Sequence, residues 1–240
     1  MGHQASSSTS CKSHHVLQNV GDLTAGHRIA LGLLLSQMRF RKLCPLASLN
    51  TVGGKMAHIP TPPVDKITPE AKLILDDFRK NYGRPSHIYQ TMSWNGRFVS
   101  AAADAWRRLV VQPSNLERWV KEAIVVITCS TQQTEYCVQG HSHALRRQGL
   151  SEAQVKAIQT HSFAGFSDPE LSIFRFAHKA ALAPKTLTKA EFDHLQKLGL
   201  SYETILEILG VVWVNTSMNM IVDALNVTRT DQQLKELEHV

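Results

Sequence analysis

Three Ser or Thr residues that stand three ahead of a Glu or Gln are read as capping pairs: Ser114 with Glu117, Ser151 with Gln154, and Thr188 with Glu191. In such a pair the hydroxyl accepts a hydrogen bond from a first-turn amide while the Glu or Gln reaches back to the cap residue, so each pair predicts a helix start. Thr68-Pro69-Glu70 adds another start, with a cap, a proline at the first helical position and an early acid; Leu73, Ile74, Leu75 and Phe78 supply its apolar stripe. Helices are expected over about 69–81, 88–92, 98–111, 116–129, 134–147, 151–160, 170–182 and 188–198, with a long apolar one over about 202–225. Gly149 and Gly199 stand where left-handed helix ends fall. No segment alternates in the manner of a strand, so the fold class is all-α.

Gly-Leu-Ser occurs twice, at 149–151 and 199–201, each time between two expected helices. It is read as a good helix joint, with duplication of a helical hairpin as the alternative. The 240 residues suffice for one domain, expected over 64–230, with a polar tail over 231–240. No run of 18 or more apolar residues occurs, so no membrane span is expected.

The net charge of +6 is unevenly distributed. Residues 1–63 hold Lys12, Arg28, Arg39, Arg41, Lys42 and Lys55 against Asp22 alone, leaving the rest of the chain close to neutral. Nucleic acid is therefore not an expected partner of the folded part. This basic stretch is read as an extension without a fold of its own. Its Arg and Ser content also suits a transit peptide, and its apolar patch at 29–35 a weak signal core, although the patch is short and far from the N-terminus. Met56 opens a sequence that reads as an ordinary domain start. The four cysteines, at 11, 44, 129 and 137, lack the density of a disulfide scaffold, so a reducing, cytoplasmic compartment is the default, with organelle targeting by the extension as the alternative.

Chemistry concentrates between Glu122 and His141, EAIVVITCSTQQTEYCVQGH. Thr134 is a good cap for the helix that follows the polar turn, which places Cys137 at the third helical position. There unpaired amides and the helix dipole favour a thiolate. His141 follows one turn later on the same face, as a proton-handling partner. Glu122 lies in an apolar run and needs a partner: either the imidazole of His141, or Arg118 four residues earlier if the carboxylate sits at the solvent edge. The bland reading of Cys137 is a small core residue. Cys129 is seven positions after Glu122 and shares its helix face; it is read as a packing residue or as a thiol within reach of Cys137. His141 and His143 are two apart, so they point about 200° apart on a helix and do not readily share an ion. No metal or cofactor is called for.

The spacing of Glu122, Thr134, Cys137 and His141 resembles the E-x11-C-x-x-C-x-x-x-H motif of the alkylhydroperoxidase AhpD family, in the carboxymuconolactone decarboxylase superfamily. The likeness extends to HIYQTM at 87–92, LRRQGLSEAQ after the motif, and Asn219 with Asp223-Ala224-Leu225, covering about 65–228. The resemblance implies an all-helical fold, trimers or hexamers, and reduction of a small hydroperoxide by a cysteine pair recycled by an external thiol reductant. Here Cys137 keeps the place of the attacking thiol, and Glu122 and His141 that of its proton relay. Thr134 replaces the resolving cysteine. Cys129 is the possible substitute; otherwise an outside thiol must clear the oxidised Cys137. The superfamily's other chemistry, on lactones and carboxylates, would need only His141 and Glu122, but no cationic clamp is evident, since Arg146 and Arg147 lie more than a turn further on. A helical oligomer that has lost the redox pair is a third possibility, with Trp213, Met218 and Met220 on the closing helix suited to an interface.

Overall fold

Every residue from Val120 to Cys129 is buried, and the helix that carries them, α4 (Arg118–Gln132), is the centre around which the other helices pack. Apolar side chains on all sides of a helix demand cover on all sides. That cover comes chiefly from α5 (Glu135–Arg147), α7 (Glu170–Leu182) and α9 (Tyr202–Ala224). The computed structural model describes residues 57–83, 86–230 and 233, all within one unit spanning 52–240. The expected extension up to residue 56, and the tail beyond 230 apart from residue 233, lie outside the described residues.

The remaining elements are α1 (Pro69–Tyr82), α2 (His87–Met92), α3 (Gly96–Trp106), α6 (Glu152–Gln159) and α8 (Lys189–Lys197). Among the described residues there is no strand, in keeping with the all-α expectation. Helix α3 continues into a π-helical turn, Arg107–Val111, so the expected helix over 98–111 is present but widens at its end. Residues 57–63 are tied to the helices: the His58 amide donates to Leu225 O at 2.8 Å, the Trp94 indole donates to Pro60 O at 2.7 Å, and Pro62 is buried.

Two of the three predicted capping boxes form, at Ser151/Gln154 and Thr188/Glu191. The third does not. Ser114 bonds Glu207 instead and accepts from Lys121 Nζ at 2.7 Å; α4 begins later, at Arg118, with Glu117 at its cap position. The reason is Lys121, whose buried ammonium needs oxygen partners and draws Ser114 and the Gln112 carbonyl, at 2.6 Å, into its shell. Both Gly-Leu-Ser joints take one geometry: Gly149 and Gly199 adopt φ of +93° and +90°, and Ser151 and Ser201 each cap the next helix.

Helix α9 is 23 residues long and, although polar residues interrupt it, apolar enough to cross a membrane by length and composition. In this fold it is a core helix. Ile205, Ile208, Val211, Val212, Val214 and Val222 are buried, while Tyr202, Leu206, Trp213 and Met220 are exposed.

Candidate active site

The reversal between α4 and α5 gives the site its shape. Gln133 takes a left-handed conformation, φ +62°, the Thr134 amide donates to Cys129 O at 3.0 Å, and the Cys137 amide donates to Thr134 O at 3.1 Å. Cys129 at the end of α4 and Cys137 at the start of α5 are thereby each one backbone hydrogen bond from Thr134. Both are free thiols, and both are buried.

Thr134 occupies the cap position, as expected, but its side chain caps nothing. Its ψ of 86° departs from the extended cap geometry, and the hydroxyl donates instead to Asp223 Oδ2 at 2.8 Å, tying the start of α5 to the end of α9.

Glu122 is 1% exposed and holds both expected partners at once. Its Oε2 lies 2.9 Å from His141 Nδ1, and its Oε1 accepts from Arg118, which also donates to Val110 O. The solvent-edge reading is thus excluded. Burial pushes this carboxyl up, but the His141 and Arg118 charges outweigh that and hold it below its ordinary value. With Nδ1–H donated to the carboxylate, neutral His141 keeps Nε2 as its acceptor nitrogen. The Trp106 ring lies against the imidazole, with centroids 5.0 Å apart.

The two thiols are driven in opposite directions. A hydrogen bond from Cys129 lowers Cys137 first of all; burial opposes it, and the His141 and Arg229 charges add to the lowering, so the Cys137 thiol falls below its ordinary value despite a raising effect from Asp223. Burial raises Cys129 well above its ordinary value, and the same contact with Cys137 raises it further. The single Cys129 S–H proton has Asn219 Oδ1, 3.3 Å away, as its alternative acceptor, and Asn219 in turn donates to Gln132 Oε1 at 2.8 Å.

Cys137, His141 and Glu122 line a pocket of about 830 Å³; Cys129 does not. Aromatic walls come from Phe78, Tyr82, Tyr89 and Trp106, and cationic groups from Arg118, Arg147 and Arg229. Burial raises the Tyr89 phenol, which keeps it neutral. Arg147 is expected from sequence to lie too far along its helix to matter, yet it borders the pocket together with His143, while Arg146 pairs with Glu152. His143 is pushed down by burial and by the Arg147 and Arg146 charges.

Arg229 is the residue that sequence reasoning missed. Its guanidinium lies 3.8 Å from the Tyr136 ring centroid and donates to the Tyr136 carbonyl. Room for it comes from Gly140, where a Cβ would stand 2.5 Å from Arg229 Nη2. A glycine inside an otherwise regular helix was the available signal. Among the described residues no group of His, Cys, Asp and Glu is placed to hold a metal ion.

This is an all-helical AhpD-like domain. Similar solved structures include the alkylhydroperoxidase AhpD core of a peroxidase-related protein from Ralstonia eutropha, with TM-score 0.69 and 17% identity over 75% of this chain and 95% of that one. A peroxidase-related protein from Silicibacter sp. gives 0.69 and 17% over 77% and 97%. The debrominase Bmp8, as a cysteine-to-alanine variant in complex with 2,3,4-tribromopyrrole, gives 0.65 and 19% over 77% and 100%. At these identities the likeness is one of fold. In sequence, residues 98–179 match the carboxymuconolactone decarboxylase family. No curated protein matches it in sequence.

Proposed function

We propose that the protein is a thiol peroxidase acting on organic hydroperoxides through Cys137. The observation that carries this reading is a thiol held below its ordinary pKa at the wall of a pocket that also contains the His141–Glu122 pair. His141 accepts the Cys137 proton and becomes an imidazolium paired with Glu122. The thiolate attacks the terminal peroxide oxygen, the O–O bond breaks, Cys137 becomes a sulfenic acid, and the alkoxide leaves with the proton from His141. An external thiol supplies the two electrons that restore the enzyme.

Aromatic walls favour a flat, apolar organic group over hydrogen peroxide alone. The debrominase neighbour binds a flat heteroaromatic molecule, which agrees with a pocket of this kind. A homo-oligomer, trimer or hexamer, goes with the reading through the exposed stripe of α9; a monomeric mass by light scattering would remove that part of it.

Cumene hydroperoxide added to the reduced full chain, followed by dimedone trapping and mass spectrometry, is the direct test. Oxidation is expected on Cys137 and is lost in Cys137→Ser. A Cys137 that stays a thiol under excess peroxide ends the proposal. One observation favours a second reading, lactone or carboxylate chemistry by His141 and Glu122: the arginines that border the pocket could hold a substrate carboxylate. Turnover of a carboxylated lactone that survives Cys137→Ser and is lost in His141→Ala would select it.

A further inference from the structure

We infer that Cys129 is the resolving thiol of Cys137, so that the catalytic disulfide closes across the α4–α5 reversal in place of the cysteine that Thr134 displaces. This rests on the peroxidase reading above. Three observations support it.

The first is position. Thr134 bonds the backbones of both cysteines, at 3.0 Å and 3.1 Å, and each thiol shifts the ionisation of the other, Cys129 lying outside the pocket lining. Two cysteines one backbone hydrogen bond either side of the same residue are held near each other by the reversal, which is the approach a disulfide requires. The second is segregation. Cys137 borders the pocket and Cys129 does not, so peroxide reaches one sulfur and not the other. The third is the state of the Cys129 proton. Its S–H has an acceptor in Asn219 Oδ1 at 3.3 Å, and burial raises the thiol well above its ordinary value against a lowering effect of Asn219, which disfavours the thiolate that peroxide would oxidise.

The chemistry then balances. Cys129 Sγ attacks Cys137 Sγ of the sulfenic acid, the S–O bond breaks, and the Cys129 proton leaves with the hydroxide as water. The product is a Cys129–Cys137 disulfide, which an external dithiol reduces to two thiols while itself being oxidised to a disulfide. Asn219 acts as a positioning residue, because it holds the Cys129 thiol at the end of α4 through its own bond to Gln132.

The test uses the full chain, with Cys11 and Cys44 present. One equivalent of cumene hydroperoxide is added to reduced protein, dimedone is added at intervals, and peptides are mapped without reduction. The wild type is expected to show a Cys129–Cys137 disulfide and rapid loss of dimedone reactivity. In Cys129→Ser the sulfenic acid on Cys137 should last at least about tenfold longer and pass to sulfinic acid under lower peroxide excess. Cys129→Ala, whose melting curve is compared with that of Cys129→Ser, guards against a folding artefact. A persistent sulfenic acid in the wild type, or a disulfide from Cys137 to Cys11 or Cys44, overturns the inference and leaves the peroxidase reading standing. Absence of any oxidation on Cys137 would instead remove the peroxidase reading.

Discussion

The last turn of α4 and the first turn of α5 each present one buried cysteine, and the fold treats the two sulfurs in opposite ways. Cys129 sits at the C-terminal end of its helix, fully covered, with Asn219 beside it and burial raising its thiol. Cys137 sits near a helix N-terminus, at 8% exposure, bordering the pocket and near His141 and Arg229, whose charges favour its thiolate. Burial alone therefore does not set the direction in which a thiol is driven. What separates the thiols is which end of a helix each occupies, which charges face it, and whether the pocket reaches it.

The contrast is broken most severely at His141. Replacing it with Ala removes a charge that lowers the Cys137 thiol and a partner of Glu122, and with them the proton acceptor that the proposed peroxidase requires. Turnover of cumene hydroperoxide by His141→Ala should fall by about 10²–10⁴-fold. If stopped-flow rates fall less than about twofold, against that general-base range, His141 has no part in activating the thiol. A smaller effect is expected when only the thiolate is probed. In wild-type protein, alkylation of Cys137 by iodoacetamide should rise with pH and level off below the ordinary thiol value of 9.0, whereas Cys129 should stay unmodified through that range. Equal alkylation profiles for the two would abolish the distinction.

Much of this was legible in the sequence, for a local reason. Helix caps, glycine stops and apolar stripes are short-range signals, so Ser151, Thr188, Gly149 and Gly199 marked their boundaries correctly. The spacing from Glu122 to His141 also brought the carboxylate and the imidazole together, because a helical reversal of fixed length sets that meeting. Where the sequence misled, a distant partner had won. Ser114 was taken by Lys121 and Glu207, and Thr134 by Asp223, 89 positions away. Arg229 reaches Tyr136 across 93 positions, and no local pattern announces such a contact. The same holds for Asn219 and Cys129, 90 positions apart, where the family likeness marked Asn219 but not the bond it makes.

Glu122 gives a test on stability. Its pKa is lower in the folded protein than its ordinary value of 4.5, so the ionised carboxylate stabilises the fold above about that pH. This contribution is lost as pH falls through the folded value. Glu122→Gln should melt at a lower temperature than wild type at about pH 7, and the gap should narrow as pH drops below 4.5. A gap that widens on acidification would mean that the carboxyl is protonated in the native site.

The smallest expected effect isolates Arg229. In Gly140→Ala the new Cβ would stand 2.5 Å from the guanidinium, the flexible end of a long side chain, so Arg229 should give way and the helix should keep its course. The helix gains about 1 kcal/mol from the added methyl group, and loss of a charged hydrogen bond to Tyr136 costs about 1.5–3 kcal/mol, so stability should change by no more than about 2 kcal/mol. The thiol reports the change more directly. Moving a positive charge away from Cys137 raises its pKa, and the alkylation profile should shift to higher pH while Cys129 remains protected. An unchanged profile would assign the lowering to Cys129 and His141 alone, and would leave Arg229 to the pocket and to Tyr136.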